Sequence, residues 1–97
     1  MSKFEDWNKH FLVIGKVIAA HGLRGEIKVL SLTDFPERFL NLKKVFVVPT
    51  LTQESEPEIL SFHIKGVRHQ PKYIILQFKE FQNRNQADEI GKYWVCV

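Results

Sequence analysis

Hydrophobic and polar positions along this chain alternate with a period of two more often than they follow a helical period. In "GEIKVLS", Ile27 and Val29 fall on one face, and charged residues fall on the other. The segments "ILSFHIKGV" and "YIILQF" alternate in the same way, as strands with one buried face do. A run rich in β-branched residues from Phe11 to Ala19 predicts a strand that is buried on both faces. "KKVFVVP" and "KYWVCV" complete a set of six predicted strands.

Two short segments break this alternation and predict turns of helix. In "TDFPERFLNL", Asp34 is placed to cap a helical turn whose first residues tolerate Pro36. In "NRNQADEIG", Asn83 or Asn85 can cap the start of a helix, and Gly91 can end it.

Six short strands and two helical turns in 97 residues predict an all-β fold, a small six-stranded antiparallel β-barrel. Closing the sheet removes the exposed edges that a flat sheet would carry. We expect one domain over residues 11–97, preceded by a partly ordered N-terminal arm over residues 1–10.

The charge balance is mildly basic. Fourteen Lys and Arg residues against eleven Asp and Glu give a net charge of +3 and a pI near 9.1. This charge is compatible with a nucleic-acid or acidic partner but does not require one, because a strong electrostatic footprint needs clustering on one face.

The single cysteine and the hydropathy pattern predict a cytoplasmic protein that does not enter a membrane. Cys96 stands alone, so no internal disulfide can form, and we expect it to be a small buried hydrophobe. No segment reaches the roughly 18 apolar residues of a membrane span. Lys16 interrupts the one stretch that resembles a signal peptide.

The stretch "AHGLRGEIKV" contains the motif that most needs explaining. Gly22 and Gly25 lie between two predicted strands, where a tight connection commonly needs the positive φ angles that glycine adopts. The spacing is not that of a Walker loop or of a dinucleotide fingerprint, and the G-x-x-G loop of KH domains joins two helices instead. Turn geometry does not explain His21 and Arg24, and an exposed turn is a natural place to meet a partner.

We find no constellation of catalytic or metal-ligating residues, so we predict a non-enzyme without cofactor or metal. The four histidines lack metal-ligand spacing, and Cys96 lies in an apolar strand that would raise its pKa. Glu26 faces out of a strand while Asp34 suits a cap, so these two do not form an obvious carboxylate pair. A fragment of a reductase with this barrel type remains the enzymatic alternative.

A second alternative is an OB-like module that binds single-stranded nucleic acid. Such a module needs outward aromatic side chains interleaved with basic ones. Tyr73 near Lys72 and Tyr93 near Lys92 are the candidates.

The segment "VIGKVIAAHGLRGEIKVLSLTDFPERF", Val13 to Phe39, resembles the opening of the RimM family of ribosome maturation factors. "NRNQADEIGKYWVCV" resembles the close of that family's first domain, so the resemblance covers nearly the whole chain. It implies the N-terminal domain, a barrel of the kind found in elongation factors and some reductases. Family members continue into a PRC-type barrel domain, to which nothing in this chain corresponds.

The resemblance also implies a function. The family assists late assembly of the small (30S) ribosomal subunit, promoting maturation of its head and processing of 16S rRNA as a non-catalytic chaperone. The implied partners are the small subunit, ribosomal protein number nineteen of the small-subunit series, and 16S rRNA, and we expect a monomer. The residues predicted to bind a partner are His21, Leu23, Arg24, Lys28 and Asp34; those predicted to shape turns are Gly15, Gly22, Gly25 and Pro36.

Overall fold

Six antiparallel strands close into a barrel in the computed structural model, which describes residues 12–49 and 58–97. The strands are β1 (Val13–His21), β2 (Glu26–Ser31), β3 (Lys44–Val48), β4 (Leu60–His69), β5 (Ile74–Phe78) and β6 (Trp94–Cys96). Two short helices, α1 (Arg38–Asn41) and α2 (Arg84–Asp88), lie between strands. The predicted barrel is confirmed. The predicted N-terminal arm, residues 1–10, lies outside the described residues.

The barrel closes through its last and shortest strand. The order around the barrel is β1-β2-β5-β4-β3-β6, so β6 pairs with both β1 and β3. Cys96 is aligned with Val13 on one side and with Phe46 on the other. Each of the six strands thus has a neighbour on both sides, which limits the edge that another chain could pair with. Strand β4 extends past β3, which is aligned with residues 60–63 alone.

The alternating pattern places one apolar face of the strands inside the barrel. The inward positions of neighbouring strands are aligned, for example Ile27 with Leu76 and Val29 with Ile74. Burying each such side chain contributes about 1.5–3 kcal/mol. The fully buried core residues of the strands include Ile14, Val17, Ile27, Val29, Val45, Val47, Leu76, Phe78 and Val95.

Strand β1 differs from its prediction in two ways. It reaches His21, because that residue aligns with Glu26 of β2 and extends the ladder. It is also not buried on both faces along its length, since Ile18 is 38% exposed and Ala19 is exposed. The pairing register shifts between Val17 and Ala19, and this irregularity leaves Ile18 out of the regular inward–outward alternation.

Asp34 does not cap a helix, so that prediction is wrong. Helix α1 begins four residues later, at Arg38, with Glu37 at the N-cap position and no side-chain capping bond. The reason is Pro36, which disfavours helical backbone at the residue before it. The chain turns there instead, with the backbone N–H of Phe35 donating to Thr33 Oγ1 at 3.2 Å.

The second helix begins as predicted but ends differently. Asn83 caps α2 in a capping box, because its side chain accepts from the backbone N–H of Gln86 while the Gln86 side chain accepts in return. Gly91, predicted to end the helix, does not take the left-handed conformation. Lys92 takes it, at φ 70°, and its backbone N–H donates to Val17 O at 3.0 Å. The left-handed residue after α2 is therefore one position later than predicted, at Lys92, where the backbone hydrogen-bonds to β1.

Gly15 was predicted to shape a turn, but it lies inside β1. Its role is close packing: a Cβ there would lie 2.6 Å from Val29 Cγ1 and 3.4 Å from the ring of Phe39. The absence of a side chain at Gly15 lets α1 and β2 approach the strand.

Candidate functional site

The predicted turn occupies residues 22–25 and joins β1 to β2. Gly22 has φ 72° and Gly25 has φ 90°, so both take the left-handed conformation that their positions suggested. The two glycines differ in surroundings. A Cβ on Gly22 would meet nothing within 4 Å, whereas a Cβ on Gly25 would lie 3.0 Å from Asn83 O.

Helix α2 holds this turn in place. The backbone N–H of Arg84 donates to Leu23 O at 3.1 Å, and its guanidinium donates to Gly22 O at 3.4 Å. The capping box of Asn83 fixes the first turn of α2. It therefore also fixes Arg84, which donates the hydrogen bonds to the β1–β2 turn. The backbone at the tip of the β1–β2 hairpin is therefore held by hydrogen bonds from α2.

The supported tip presents two side chains to solvent. Leu23 is 79% exposed, the most exposed of the large hydrophobic residues that the structure describes. Arg24 is exposed and makes no ion pair or side-chain hydrogen bond with any described residue. Neither side chain contributes to the core, so both are available to a partner.

A shallow groove of about 340 Å³ lies on the outer face of β1, β2 and β5. We call it the outer groove; its lining residues are His21, Lys28, residues 70–73 and Ile75. Lys28 was predicted to face outward, and its Nζ lies 4.5 Å from the centre of the Tyr73 ring. His21 ends β1 and lines the groove, so it connects the groove to the turn.

None of the side chains that line the outer groove is acidic. The neighbouring carboxylate of Glu26 is engaged by Arg68, whose Nη2 lies 2.9 Å from Glu26 Oε2. Lys28 and Lys72 therefore give the groove a positive potential that no lining carboxylate offsets.

The structure does not bring all the predicted residues together. His21 and Lys28 share the outer groove, and Leu23 and Arg24 share the turn. Asp34 is exposed in the connection between β2 and α1 and lines neither. Pro36 lines a smaller cavity of about 130 Å³ beside residues 69–74.

The two tyrosines considered for base stacking lie at different sites. Tyr73 lines the outer groove, but Tyr93 lines a cavity of about 390 Å³ that it shares with Glu80 and Glu89. A nucleic-acid backbone would be repelled there.

Sequence reasoning missed Ile75 and Pro71 as site residues. Ile75 is aligned with Lys28 and Arg68, at an outward position of β5, yet it is only 2% exposed. An apolar residue at an outward position of an alternating strand indicates an apolar patch on the outer surface. In "YIILQF" this indication is not distinct, because Ile75 lies between two other apolar residues.

Where the structure describes them, the groups considered for catalysis or metal binding are not assembled into a site; His10 lies outside the described residues. Cys96 is buried, and desolvation raises the pKa of its thiol to about 11, which suppresses the reactive thiolate. Within residues 12–49 and 58–97, no three His, Cys, Asp or Glu side chains are grouped to hold a metal ion. None of the helices in these ranges is long and apolar enough to cross a membrane.

Comparison with known proteins gives a consistent result. The profile of the RimM N-terminal domain matches residues 12–97. The ribosome maturation factor RimM of Synechocystis sp. is 38% identical over 96 residues, which are 98% of this chain and 48% of that protein. The RimM of Acetivibrio thermocellus is 33% identical over 87 residues, covering 90% of this chain and 48% of that protein.

A solved structure shares the fold. A crystal structure described as a 16S ribosomal RNA processing protein RimM, from Pseudomonas aeruginosa, superimposes with a TM-score of 0.77 at 26% identity. The match covers 90% of this chain and 49% of that one. The chain spans about half the length of the curated relatives it matches.

Proposed function

The chain belongs to the RimM family, matching its N-terminal domain, and we propose that it works as a non-catalytic assembly factor of the small ribosomal subunit. In this role it assists maturation of the head and processing of 16S rRNA in the cytoplasm. The proposed partners are pre-ribosomal particles, with 16S rRNA and ribosomal protein number nineteen of the small-subunit series as the components contacted.

The observation that carries this proposal is the β1–β2 turn. Arg84 hydrogen-bonds to the backbone of this turn, and Asn83 packs against Gly25. The side chains of Leu23 and Arg24 extend into solvent. Because hydrogen bonds from α2 already fix this turn, it loses little conformational entropy on binding, which favours recognition of a large partner. An exposed leucine beside an arginine that pairs with none of the described residues suits a surface that offers both apolar and anionic groups.

Replacing Arg24 tests the proposal. We expect Arg24→Ala to weaken binding of the 97-residue chain to immature small subunits by about tenfold, since a hydrogen bond to a charged group contributes ~1.5 kcal/mol. Thermal stability should be nearly unchanged, because the Arg24 side chain is exposed and makes no ion pair or hydrogen bond with a described residue. Co-sedimentation with purified particles measures the binding, and a thermal melt measures the stability.

Arg38→Ala is the matched control, because it also removes an exposed arginine and changes the net charge equally. Its binding should stay close to that of the unsubstituted chain. Equal losses of binding affinity in the two variants would mean that Arg24 contributes only through the net charge of the chain. Loss of stability in parallel with binding would make Arg24 a structural residue.

A further inference from the structure

The outer groove combines a flat aromatic wall, an apolar floor and a cationic rim. Ile75 forms the floor, and Tyr73 and Pro71 line the groove beside it. Lys28 and Lys72 supply the positive charge. The volume of about 340 Å³ is at the small end of the roughly 300–1,000 Å³ typical of ligand sites, so it fits one small planar group at a time.

Contacts within the protein hold the walls of the outer groove in place. Pro71 and Lys72 make a two-residue hairpin tip, closed by a hydrogen bond of 2.8 Å from the backbone N–H of Gln70 to Tyr73 O. Pro71 stiffens this tip because its ring fixes φ. The Tyr73 ring is held beneath the Lys28 amine, 4.5 Å from the ring centre, by a cation–π interaction.

Two kinds of anionic polymer could be drawn to the rim, an acidic peptide and a nucleic-acid strand. Carboxylates of a peptide would meet the lysines but would leave the apolar floor and the tyrosine ring without a partner. A single nucleic-acid strand supplies both a repeating anion and a flat base, which stacks on aromatic side chains whatever its sequence. In a duplex the bases are already stacked and paired, so they cannot enter.

The geometry points to a binding site for one unpaired nucleotide of an RNA strand in the outer groove. The base lies against Tyr73 and Pro71 over Ile75, and the flanking phosphates lie beside Lys72 and His21. This inference rests on the proposed function for its choice of RNA as the nucleic acid. It assigns the outer face of β1, β2 and β5 to RNA and leaves the turn tip as a separate contact.

The test uses fluorescein-labelled hexauridylate, a duplex of equal length and a hexaglutamate peptide, with binding followed by fluorescence anisotropy. We expect the 97-residue chain to bind the single strand in preference to the duplex and the peptide. Tyr73→Ala should weaken binding by about fivefold or more, and Tyr73→Phe by no more than about twofold, because the ring stacks and the hydroxyl does not.

The salt dependence of binding is a second measurement, and it can be made even if Tyr73→Ala fails to fold. Lys72→Ala should lower the slope of log K against log salt by about 0.7, the loss of one phosphate contact. Lys44→Ala is the control: it also removes one exposed lysine and one positive charge, but on β3, away from the outer groove. Its slope should equal that of the unsubstituted chain.

In the anisotropy experiment, three results would overturn the site: no binding of the single strand, tighter binding of the peptide than of RNA, or variants at Tyr73 and Lys72 that bind RNA like the Lys44 control. Binding of the same variants to immature small subunits separates this inference from the proposed function. Particles bound with full affinity by folded Tyr73→Ala would leave the assembly role intact and reject the groove. RNA binding without particle binding would do the reverse.

Discussion

At the scale of single residues, His63 and Glu80 form a local interaction that makes stability depend on pH. The His63 Nδ1 lies 2.7 Å from Glu80 Oε2, and the His63 backbone N–H donates to Glu80 Oε1 at 2.9 Å. Burial would raise the pKa of Glu80, but the hydrogen bonds from the His63 side chain and backbone prevail and lower it from 4.5. The ionised carboxylate therefore stabilises the junction of β4 with the residues after β5.

We expect Glu80→Gln to lower the free energy of unfolding by about 0.5 kcal/mol near neutral pH, because the pair is exposed. A carboxylate with a lowered pKa stabilises the fold above its unfolded pKa, and this contribution disappears as pH falls through the folded value. The difference between variant and parent should thus shrink below about pH 4.5. Urea unfolding at several pH values measures it.

Glu89→Gln provides the control, since Glu89 is an exposed glutamate whose side chain bonds to none of the described residues. A pH dependence of equal size in both variants would mean that net charge, rather than the contact with His63, causes the effect.

Individual residues were predictable where local backbone geometry alone decides. The positive φ angles of Gly22 and Gly25 follow from a tight connection between two strands. The outer groove was not predictable, because it depends on the register that aligns Lys28 with Ile75 and brings Tyr73 beneath the lysine. Asp34 has the side chain of a helix cap, but Pro36 disfavours helical backbone at Phe35, and this effect outweighs the capping preference.

At the scale of elements, helix α2 and the β1–β2 turn act as one unit. We expect Gly25→Ala to cost more stability than Gly22→Ala. Both strain a left-handed residue, at about 1–2 kcal/mol, but only the Gly25 Cβ also collides, 3.0 Å from Asn83 O and 3.1 Å from Phe81 Cβ. Thermal melts of the two variants measure the difference, and equal losses would show that α2 does not pack on the turn as described.

The strands were predictable as elements because their alternation is strong, but their boundaries and irregularities were not. The bulge between Val17 and Ala19 leaves no mark in a run of β-branched and small residues. The helix starts depended on the neighbouring residues: Asn83 caps α2 without interference, whereas Pro36 delays α1.

At the scale of the whole molecule, strand β6 decides whether the barrel closes. Removing residues 93–97 takes away the partner of both β1 and β3, together with the buried Val95. We expect a chain ending at residue 92 to lose its cooperative thermal transition, because two strand edges and part of the core become exposed. Circular dichroism during heating measures this transition.

Val97→Ala is the control for that truncation, because it shortens one half-buried side chain and keeps the strand backbone. It should melt cooperatively. A truncated chain that also melts cooperatively would show that the remaining five strands form a stable sheet without closure.

The barrel also brings distant parts of the sequence to one point. Leu12 and Val97 exchange two backbone hydrogen bonds, each of 2.9 Å, so the polypeptide returns to where the described fold begins. A covalent tether between these positions would close residues 12–97 into a ring without bending any strand. Because the tether restricts the unfolded chain far more than the folded one, the tethered form would gain about 4.6 kcal/mol in the chain-entropy treatment of cross-links.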